Sequence, residues 1–332
     1  MNPIPPAAPA AESAAPAPSG TAAEQAHRGA AAGLRRLLVA TDFSAAGERA
    51  VRRAAMLARA QDAALELLHV HEPPLPGSVW RSLQPLLADL GLAGDDAALG
   101  SRSRARLQAQ CEALRQEFGI AVGAQLREGR AAETIAARAR ECGAQLVVVG
   151  AHGEHALPQM LLGTTAEQLL RVLETDLLLV RAEPAEGYAR LLLPTDLSAQ
   201  ALAAARRLRQ LFPAAASCLL HAYELPHESK LRYAGVETAQ LEAWCARAEA
   251  ALQLELGAFA RSAGFSDLPG SCRVVHGHAP RVIAQQAQRM QADLIALSAG
   301  EKSALERVVL GSVSLQMAMD APCDVWVVRE AA

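Results

Sequence analysis

Three glycines and two threonines are spaced in a way that suits phosphate binding. Gly150 and Gly153 follow a short apolar run, and nine residues separate Gly153 from Gly163, which directly precedes Thr164 and Thr165. Glycine has no Cβ to keep a phosphate away from the backbone, and the first N–H groups of a helix, together with its dipole, favour an anion. The pattern therefore predicts a nucleotide-binding loop that joins the end of a strand to the start of a helix.

The segments on both sides of this loop predict the elements that hold it. Residues 146–149 (LVVV) are a continuous apolar run rich in β-branched residues, typical of a strand buried on both faces. After Gly163, the apolar residues Leu169, Leu170 and Val172 have helical spacing. We therefore expect a central strand before the loop and an amphipathic helix after it.

Strands and helices alternate through the first half of the chain. This alternation implies a parallel sheet with helices on both faces. The other strands are expected at 36–40, 64–70, 120–126 and 177–181, the other helices directly after Ser44, at 101–118 and at 131–141, and a short helix at 81–90 within a Pro/Gly-containing insert at 75–99.

The second half of the chain repeats the first. RLLVATDFS at 36–44 returns as RLLLPTDLS at 190–198, and LGT at 162–164 returns as LGS at 310–312. The two offsets are similar (190 − 36 = 154; 311 − 163 = 148), which indicates a tandem duplication. The predicted organisation is a tail at 1–33, a first domain at 34–181, a linker at 182–188 and a second domain at 189–330.

The glycine loop differs between the two copies. Subtracting 148 places Ser298 at the position of Gly150 and Glu301 at the position of Gly153. A glutamate repels phosphate, and both residues bring a Cβ where the first copy has none. We expect the second loop to bind phosphate poorly or not at all.

Composition limits the classes of partner. Hydrophobic residues make up 51% and charged residues 20% of the 332 residues, and the net charge is -3. No basic field exists to attract nucleic acid or anionic lipid, so neither partner is expected. No run of ~18 apolar residues is present, and the Ala/Pro-rich segment 1–33 lacks the pattern of a secretory signal. The sequence predicts a soluble, cytoplasmic protein with a disordered N-terminal tail.

The six cysteines stand singly, without the paired C-x-x-C spacing of zinc or redox sites. They are interpreted as core or surface residues in a reducing compartment, with a free-thiol sensor as the alternative. His69, His71, His221, His276 and His278 lie near strand ends, but their spacing fits no standard set of metal ligands. Structural roles are expected for these histidines.

Taken together, the motifs resemble the universal stress protein family in its tandem two-domain form. The resemblance is carried by TDFS at 41–44, LHV at 68–70 and the G-x2-G-x9-GT spacing at 150–164, and it covers about residues 34–330. The family implies an α/β fold in which each domain has a five-stranded parallel sheet of order 3-2-1-4-5. It also implies ATP or AMP across the carboxyl ends of strands one and four, and pairing of the two domains through their fifth strands.

The resemblance also implies which residues contact the nucleotide. The departure from the family is Glu154-His155, where members often carry a basic or small polar residue. The added negative charge leaves open whether the ligand is ATP, with or without magnesium, or AMP. By this resemblance, Ala40, Thr41 and Asp42 line the adenosine side, and Val70 and Val149 contact the adenine. Gly150, His152 and Gly153 contact the ribose and phosphates, and Gly163, Thr164 and Thr165 contact the phosphate tail.

The predicted function is a stress-response protein that binds the nucleotide in its first domain. The second domain is expected to serve for pairing or for another ligand. No Ser-His-Asp order, carboxylate pair or Gly-Lys-Ser/Thr motif is present, so no catalytic residue is assigned. Two alternatives stay open: a slow ATPase or phosphotransferase that uses Asp42, and a nucleotide-independent scaffold that can also form a homodimer.

Overall fold

The computed structural model describes residues 33–72, 96–153, 162–226, 230, 233–265, 271–299 and 312–329, with the backbone alone for 96–99. Residues 1–32 of the predicted tail and the predicted helix at 81–90 lie outside these ranges. Leu34–Ala332 form one compact unit.

The first half of this unit alternates strands and helices as predicted. Its largest departure is at the second helix, which begins five residues earlier than expected because Ala97, Ala98 and Leu99 are strong helix formers. The elements are β1 (Arg36–Ala40), α1 (Ala45–Gln61), β2 (Ala64–His71), α2 (Asp96–Phe118), β3 (Val122–Glu128), α3 (Ala131–Cys142), β4 (Leu146–Gly150), α4 (Thr164–Val172) and β5 (Asp176–Val180).

The second half repeats the same succession of elements. They are β6 (Arg190–Pro194), α5 (Ala199–Leu211), β7 (Ala216–Tyr223), α6 (Thr238–Ser262), β8 (Cys272–His276), α7 (Ala279–Met290), β9 (Leu294–Ser298), α8 (Ser312–Asp320) and β10 (Asp324–Val328).

All ten strands form one sheet in the order β3-β2-β1-β4-β5-β10-β9-β6-β7-β8. Each half therefore has the predicted order 3-2-1-4-5, and the fold class is confirmed. Neighbours within each half are parallel, whereas β5 and β10 are antiparallel, with Leu179 opposite Val325. The carboxyl ends of the strands in the two halves consequently lie at opposite edges of the sheet.

The core lies on both faces of the sheet because helices cover both. All five residues of β5 and of β10 are buried; the last four of each form a continuous apolar run, and the first is an aspartate. In α6, Leu241 and Phe259 are buried, whereas Trp244 is 41% exposed. In the described residues, no helix combines the length and apolar character needed to cross a membrane.

The seam between β5 and β10 contains two buried carboxylates. The first is Asp176, at the start of β5, which is 2% exposed. It accepts hydrogen bonds from Trp326 Nε1 at 2.9 Å and from the Arg329 N–H at 2.8 Å. Arg207 forms an ion pair with it at 3.0 Å. Each of these three partners belongs to the second half of the chain.

The second buried carboxylate is Asp324, at the start of β10, which is fully buried. It accepts hydrogen bonds from the Tyr188 hydroxyl at 2.6 Å and the Arg181 N–H at 2.8 Å, and pairs with Arg53 at 3.3 Å. These partners come from the first half and the predicted linker. Since a buried charge is tolerated only when paired, the crossed contacts tie each half to the other.

All six cysteines are free thiols. Burial raises the pKa of Cys218 to about 11 and that of Cys323 to about 12, which makes both poor nucleophiles. Cys111 and Cys142 are also buried, and burial raises the pKa of each. A thiol sensor would have to use the partly exposed Cys245 or Cys272.

Candidate functional site

A cavity of about 680 Å³ opens at the carboxyl ends of β1, β2 and β4. In the sheet, β2 lies on one side of β1 and β4 lies on the other, so the strand order reverses at this point. Ligands of open α/β sheets bind at such a reversal. The cavity is lined by all eleven residues predicted from the sequence: Ala40, Thr41, Asp42, Val70, Val149, Gly150, His152, Gly153, Gly163, Thr164 and Thr165.

A tight turn after β1 holds Asp42 at the cavity. Thr41 Oγ1 accepts the N–H of Phe43 at 3.0 Å. Asp42 Oδ1 accepts the N–H of Ser44 at 3.0 Å and its hydroxyl at 2.6 Å. Phe43 has φ of 64°, which is rare for a bulky side chain and is maintained by these bonds. Ser44 in turn caps α1 by accepting the N–H of Gly47 at 3.1 Å.

A histidine braces this turn from β2. His69 Nδ1 lies 2.7 Å from the carbonyl oxygen of Thr41, and its ring packs on Phe43 at 4.4 Å between centroids. Because a carbonyl can only accept, Nδ1 carries the proton. His221 makes the equivalent contact with Thr195 at 2.8 Å. Both histidines therefore have a structural role, and the described residues contain no group of three or more His, Cys, Asp or Glu side chains that could hold a metal ion.

The end of β2 presents one backbone donor and one backbone acceptor to the cavity. The Leu68 carbonyl accepts the N–H of Thr41 at 2.9 Å, which is the last hydrogen bond between β1 and β2. The next acceptor, the Thr41 carbonyl, is bonded to the His69 side chain instead. In a parallel ladder, alternate residues face the same neighbour, so the N–H and C=O of Val70 point past the end of β1. Neither group has a hydrogen-bond partner in the described part of the chain.

Gly150 is needed for packing as well as for access. A Cβ on Gly150 would lie 2.8 Å from the carbonyl oxygen of Ala46, so glycine allows β4 to approach the first turn of α1. The sequence predicts ribose and phosphate contacts for this glycine but not its role in packing. A Cβ on Gly153 would lie 3.0 Å from Asp42 Oδ2, which places the loop directly against that carboxylate.

The start of α4 supplies the N–H groups at the opposite end of the cavity. The N–H of Gly163 donates to the Ala151 carbonyl at 2.8 Å, so this amide is already engaged within the loop. The next three N–H groups, of Thr164, Thr165 and Ala166, have no acceptor among the described residues. Gly163 itself has room for a side chain, because a Cβ there would come no closer than 3.4 Å to any atom.

Seven lining residues were missed from the sequence. Gly47 could have been found as an isolated glycine inside a helical pattern, which often indicates a close approach. A Cβ there would lie 2.7 Å from Asp42 Oδ1. Ala131 and Ile135 are brought in by the start of α3, whose position depends on the sheet order. The missed residues are Gly47, His69, His71, Glu72, Ala131, Ile135 and Ala166.

The charge of the lining is acidic and histidine-rich. Asp42 and Glu72 carry carboxylates, and His69, His71 and His152 carry imidazoles. The lining residues that the structure describes include neither lysine nor arginine. A bound phosphate would therefore be balanced by helix N–H groups, histidine or a counter-ion.

The second copy carries side chains at two positions where the first copy has glycine. Ala201 replaces Gly47 and Ser298 replaces Gly150, so each position has a Cβ that the first copy lacks. The turn itself is retained, with φ of 66° at Leu197 and a 2.9 Å bond from its N–H to Thr195 Oγ1. Glu301 and Gly311, like Glu154 and His155 of the first loop, lie outside the described residues.

Known proteins resemble this chain in both sequence and fold. The model of the universal stress protein family matches residues 33–181 and again residues 187–329. A universal stress protein of Mycolicibacterium smegmatis is 32% identical over 134 residues, which are 40% of this chain and 44% of that relative. The match thus spans less than half the length of that relative.

Solved structures share the tandem fold. A functionally unknown protein of Pseudomonas aeruginosa PAO1 superposes with a TM-score of 0.61 at 18% identity, covering 89% of this chain and 92% of that one. A universal stress protein of Archaeoglobus fulgidus DSM 4304 gives a TM-score of 0.60 at 14% identity, covering 89% and 98%. Because the family model matches both halves of the chain, this protein belongs to the universal stress protein family and carries two copies of the family's domain in tandem.

Proposed function

We propose that the first copy binds an adenine nucleotide in the cavity at the ends of β1, β2 and β4, and that the second copy does not. The observation that carries the proposal is the placement of unpaired backbone groups at the two ends of one cavity. Val70 offers a donor and an acceptor at one end, and the first turn of α4 offers three donors at the other.

The Val70 end suits the base. Adenine carries a ring-nitrogen acceptor next to an amino donor, which matches one residue's N–H and C=O. The side chains of Val70 and Val149 supply apolar contact for the ring faces, as do Ala131 and Ile135 of α3. A site built this way positions the base by backbone groups and excludes water by apolar ones.

The α4 end suits phosphate. The N–H groups of residues 164–166 and the helix dipole favour an anion, and the Thr164 and Thr165 hydroxyls add donors. With Asp42 and Glu72 in the lining, a triphosphate requires Mg²⁺, which prefers carboxylate and phosphate oxygens. We expect AMP to bind without magnesium and ATP to bind more tightly with it.

The cellular role follows from nucleotide occupancy. Occupancy stabilises the loops at the ends of β1 and β4 and shifts a partner interaction in a stress response, which requires that the partner bind the two states with different affinity. The second copy, which has Ala201 and Ser298 in place of Gly47 and Gly150, contributes the β5–β10 pairing. Six free thiols fit a reducing cytoplasm.

Calorimetric titration with ATP, ADP and AMP, with and without magnesium, tests the proposal. We expect one nucleotide site per chain. Gly153→Glu should lower the affinity at least about tenfold, because its Cβ would lie 3.0 Å from Asp42 Oδ2 and its carboxylate would repel phosphate. The matched control is Gly123→Glu, because a Cβ on Gly123 meets no atom within 4 Å.

Two outcomes contradict the proposal, and a third would add catalysis to it. Absence of both binding heat and a thermal shift in the unmutated chain would indicate a nucleotide-independent scaffold. Two sites per chain would show that the second copy also binds. Magnesium-dependent phosphate release that disappears in Asp42→Ala would indicate a slow ATPase.

A further inference from the structure

The second copy reaches the phosphate end of the candidate site through α4. This helix starts at the cavity with Thr164 and ends at Val172, so its nine residues span roughly 13 Å. The end of α4 lies near the edge of the sheet at which β5 begins. Because β10 is antiparallel to β5, the residue that follows β10 arrives at the same place.

That residue is Arg329, which is 5% exposed. Its N–H donates to Asp176 Oδ1 at 2.8 Å, and its guanidinium donates to the carbonyl oxygen of Leu170. Leu170 belongs to the last turn of α4, where carbonyls lack partners within the helix. A residue of the second copy therefore supplies both a hydrogen bond and a positive charge at the C-terminal end of the helix.

Resting on the proposed function, we infer that Arg329 is a positioning residue for the phosphate end of the nucleotide site. A cation bonded to the last carbonyls stabilises a helix and favours the orientation of its dipole. Fixing the end of α4 fixes the direction in which the N–H groups of Thr164 and Thr165 enter the cavity. The second copy thereby completes the site of the first without touching the ligand.

The chain contains a matched control for this role. Arg181, which follows β5, donates its N–H to Asp324 Oδ1 at 2.8 Å and its guanidinium to the carbonyls of Ala318 and Met319, the latter at 2.8 Å. These carbonyls end α8, which belongs to the second copy. Arg181 therefore occupies the same seam and makes the same kind of contact, but the helix it holds does not border the cavity.

The experiment compares Arg329→Gln with Arg181→Gln in the full chain. Calorimetry measures the affinity for AMP and for adenosine, which lacks phosphate, and amide hydrogen exchange measures protection in α4 and α8. We expect Arg329→Gln to weaken AMP binding about fivefold, to leave adenosine binding unchanged and to raise exchange in α4. Arg181→Gln should raise exchange in α8 and leave AMP binding unchanged.

The variant Arg329→Lys tests whether the positive charge of Arg329, and not only the volume of its side chain, supports AMP binding. It keeps the cation and one donor, so AMP affinity is expected to lie between those of the unmutated chain and Arg329→Gln. If Arg329→Gln does not fold, the comparison of Arg329→Lys with Arg181→Lys provides the same test.

The outcomes distinguish this inference from the function on which it rests. AMP binding that Arg329→Gln leaves unchanged overturns the inference alone, as does an equal loss for AMP and adenosine. An equal loss in Arg181→Gln shows that the seam acts only through general stability and overturns it too. Failure of the unmutated chain to bind AMP overturns the proposed function, and the inference with it.

Discussion

At the scale of single residues, the absence of a methyl group at residue 47 distinguishes the two copies. In the first copy, a Cβ on Gly47 would lie 2.7 Å from Asp42 Oδ1 and 2.9 Å from Thr41 Oγ1. Glycine thus allows Asp42 Oδ1 to accept both the N–H and the hydroxyl of Ser44 beside the cavity. In the second copy, alanine occupies this position as Ala201, Asp196 Oδ1 accepts the N–H of Ser198 at 3.0 Å, and Asp196 is exposed.

Gly47→Ala is expected to weaken AMP binding without unfolding the protein. The new methyl group displaces the Asp42 carboxylate, while alanine improves helix propensity by about 1 kcal/mol. Calorimetric titration together with urea unfolding measures both effects. The reverse change, Ala201→Gly, should cost about 0.5–1 kcal/mol of stability and leave AMP affinity unaltered. Unchanged AMP binding in Gly47→Ala would contradict this role.

The residues of the candidate site were predictable to the extent that they lie in the turn after β1, at the end of β2 or in the glycine loop after β4. The glycine loop and the turn at Asp42 are close in the sequence to the strands that carry them, so their convergence on one cavity could be expected. The second function of Gly150 could not be expected, because it depends on the distance between β4 and Ala46. The engagement of the Gly163 N–H with Ala151 likewise depends on how the loop closes.

At the scale of elements, the seam of β5 and β10 joins the halves through crossed, buried ion pairs. Asp324 is held by Arg53, by Tyr188 and by the N–H of Arg181, and its carboxylate has no exposed surface. Removing one member of such a cluster leaves uncompensated polar groups inside the protein, which costs more than the pair itself contributes.

Asp324→Ala should therefore lower the free energy of unfolding by about 3–5 kcal/mol. The matched control is Glu112→Ala, which removes a carboxylate from an exposed pair with Arg115 and should cost at most about 1 kcal/mol. Urea unfolding of the two variants provides the comparison. Similar losses in both would show that the buried cluster is energetically equivalent to a surface pair.

The type of an element was predictable where its apolar pattern was strong. The start of a helix was predictable where the sequence offered a capping residue. β1 lies at the predicted residues, and Ser44 caps α1. The antiparallel sense of the β5–β10 pair was not predictable from the residues. A strand that is buried on both faces has the same apolar run whichever way its neighbour runs.

At the scale of the whole molecule, the ten described strands belong to one sheet. The sheet continues across the seam, and residues 34–332 form one compact unit. Arg53 illustrates the coupling, because it lies on α1, whose first turn borders the cavity, and pairs with Asp324 of the other half at 3.3 Å.

The protein is accordingly expected to unfold in a single calorimetric transition, although chains of this length often unfold in steps. AMP at about 100 times its dissociation constant should stabilise the folded state by about 2.7 kcal/mol and shift the entire transition upward. Scanning calorimetry with and without AMP provides the measurement. Two transitions, of which AMP moves only one, would show that the halves unfold independently.

The crossed contacts at the seam also restrict how such a protein can evolve. A half taken from another member would fit only if it brought an aspartate at the start of its fifth strand and an arginine directly after its end, as Asp176 with Arg181 and Asp324 with Arg329 do here. The loop of one half is free to lose its glycines, since the seam does not include them. Exchange of one half is therefore expected to preserve the fold only when these seam residues are matched, whereas changes at the ligand edges leave the seam intact.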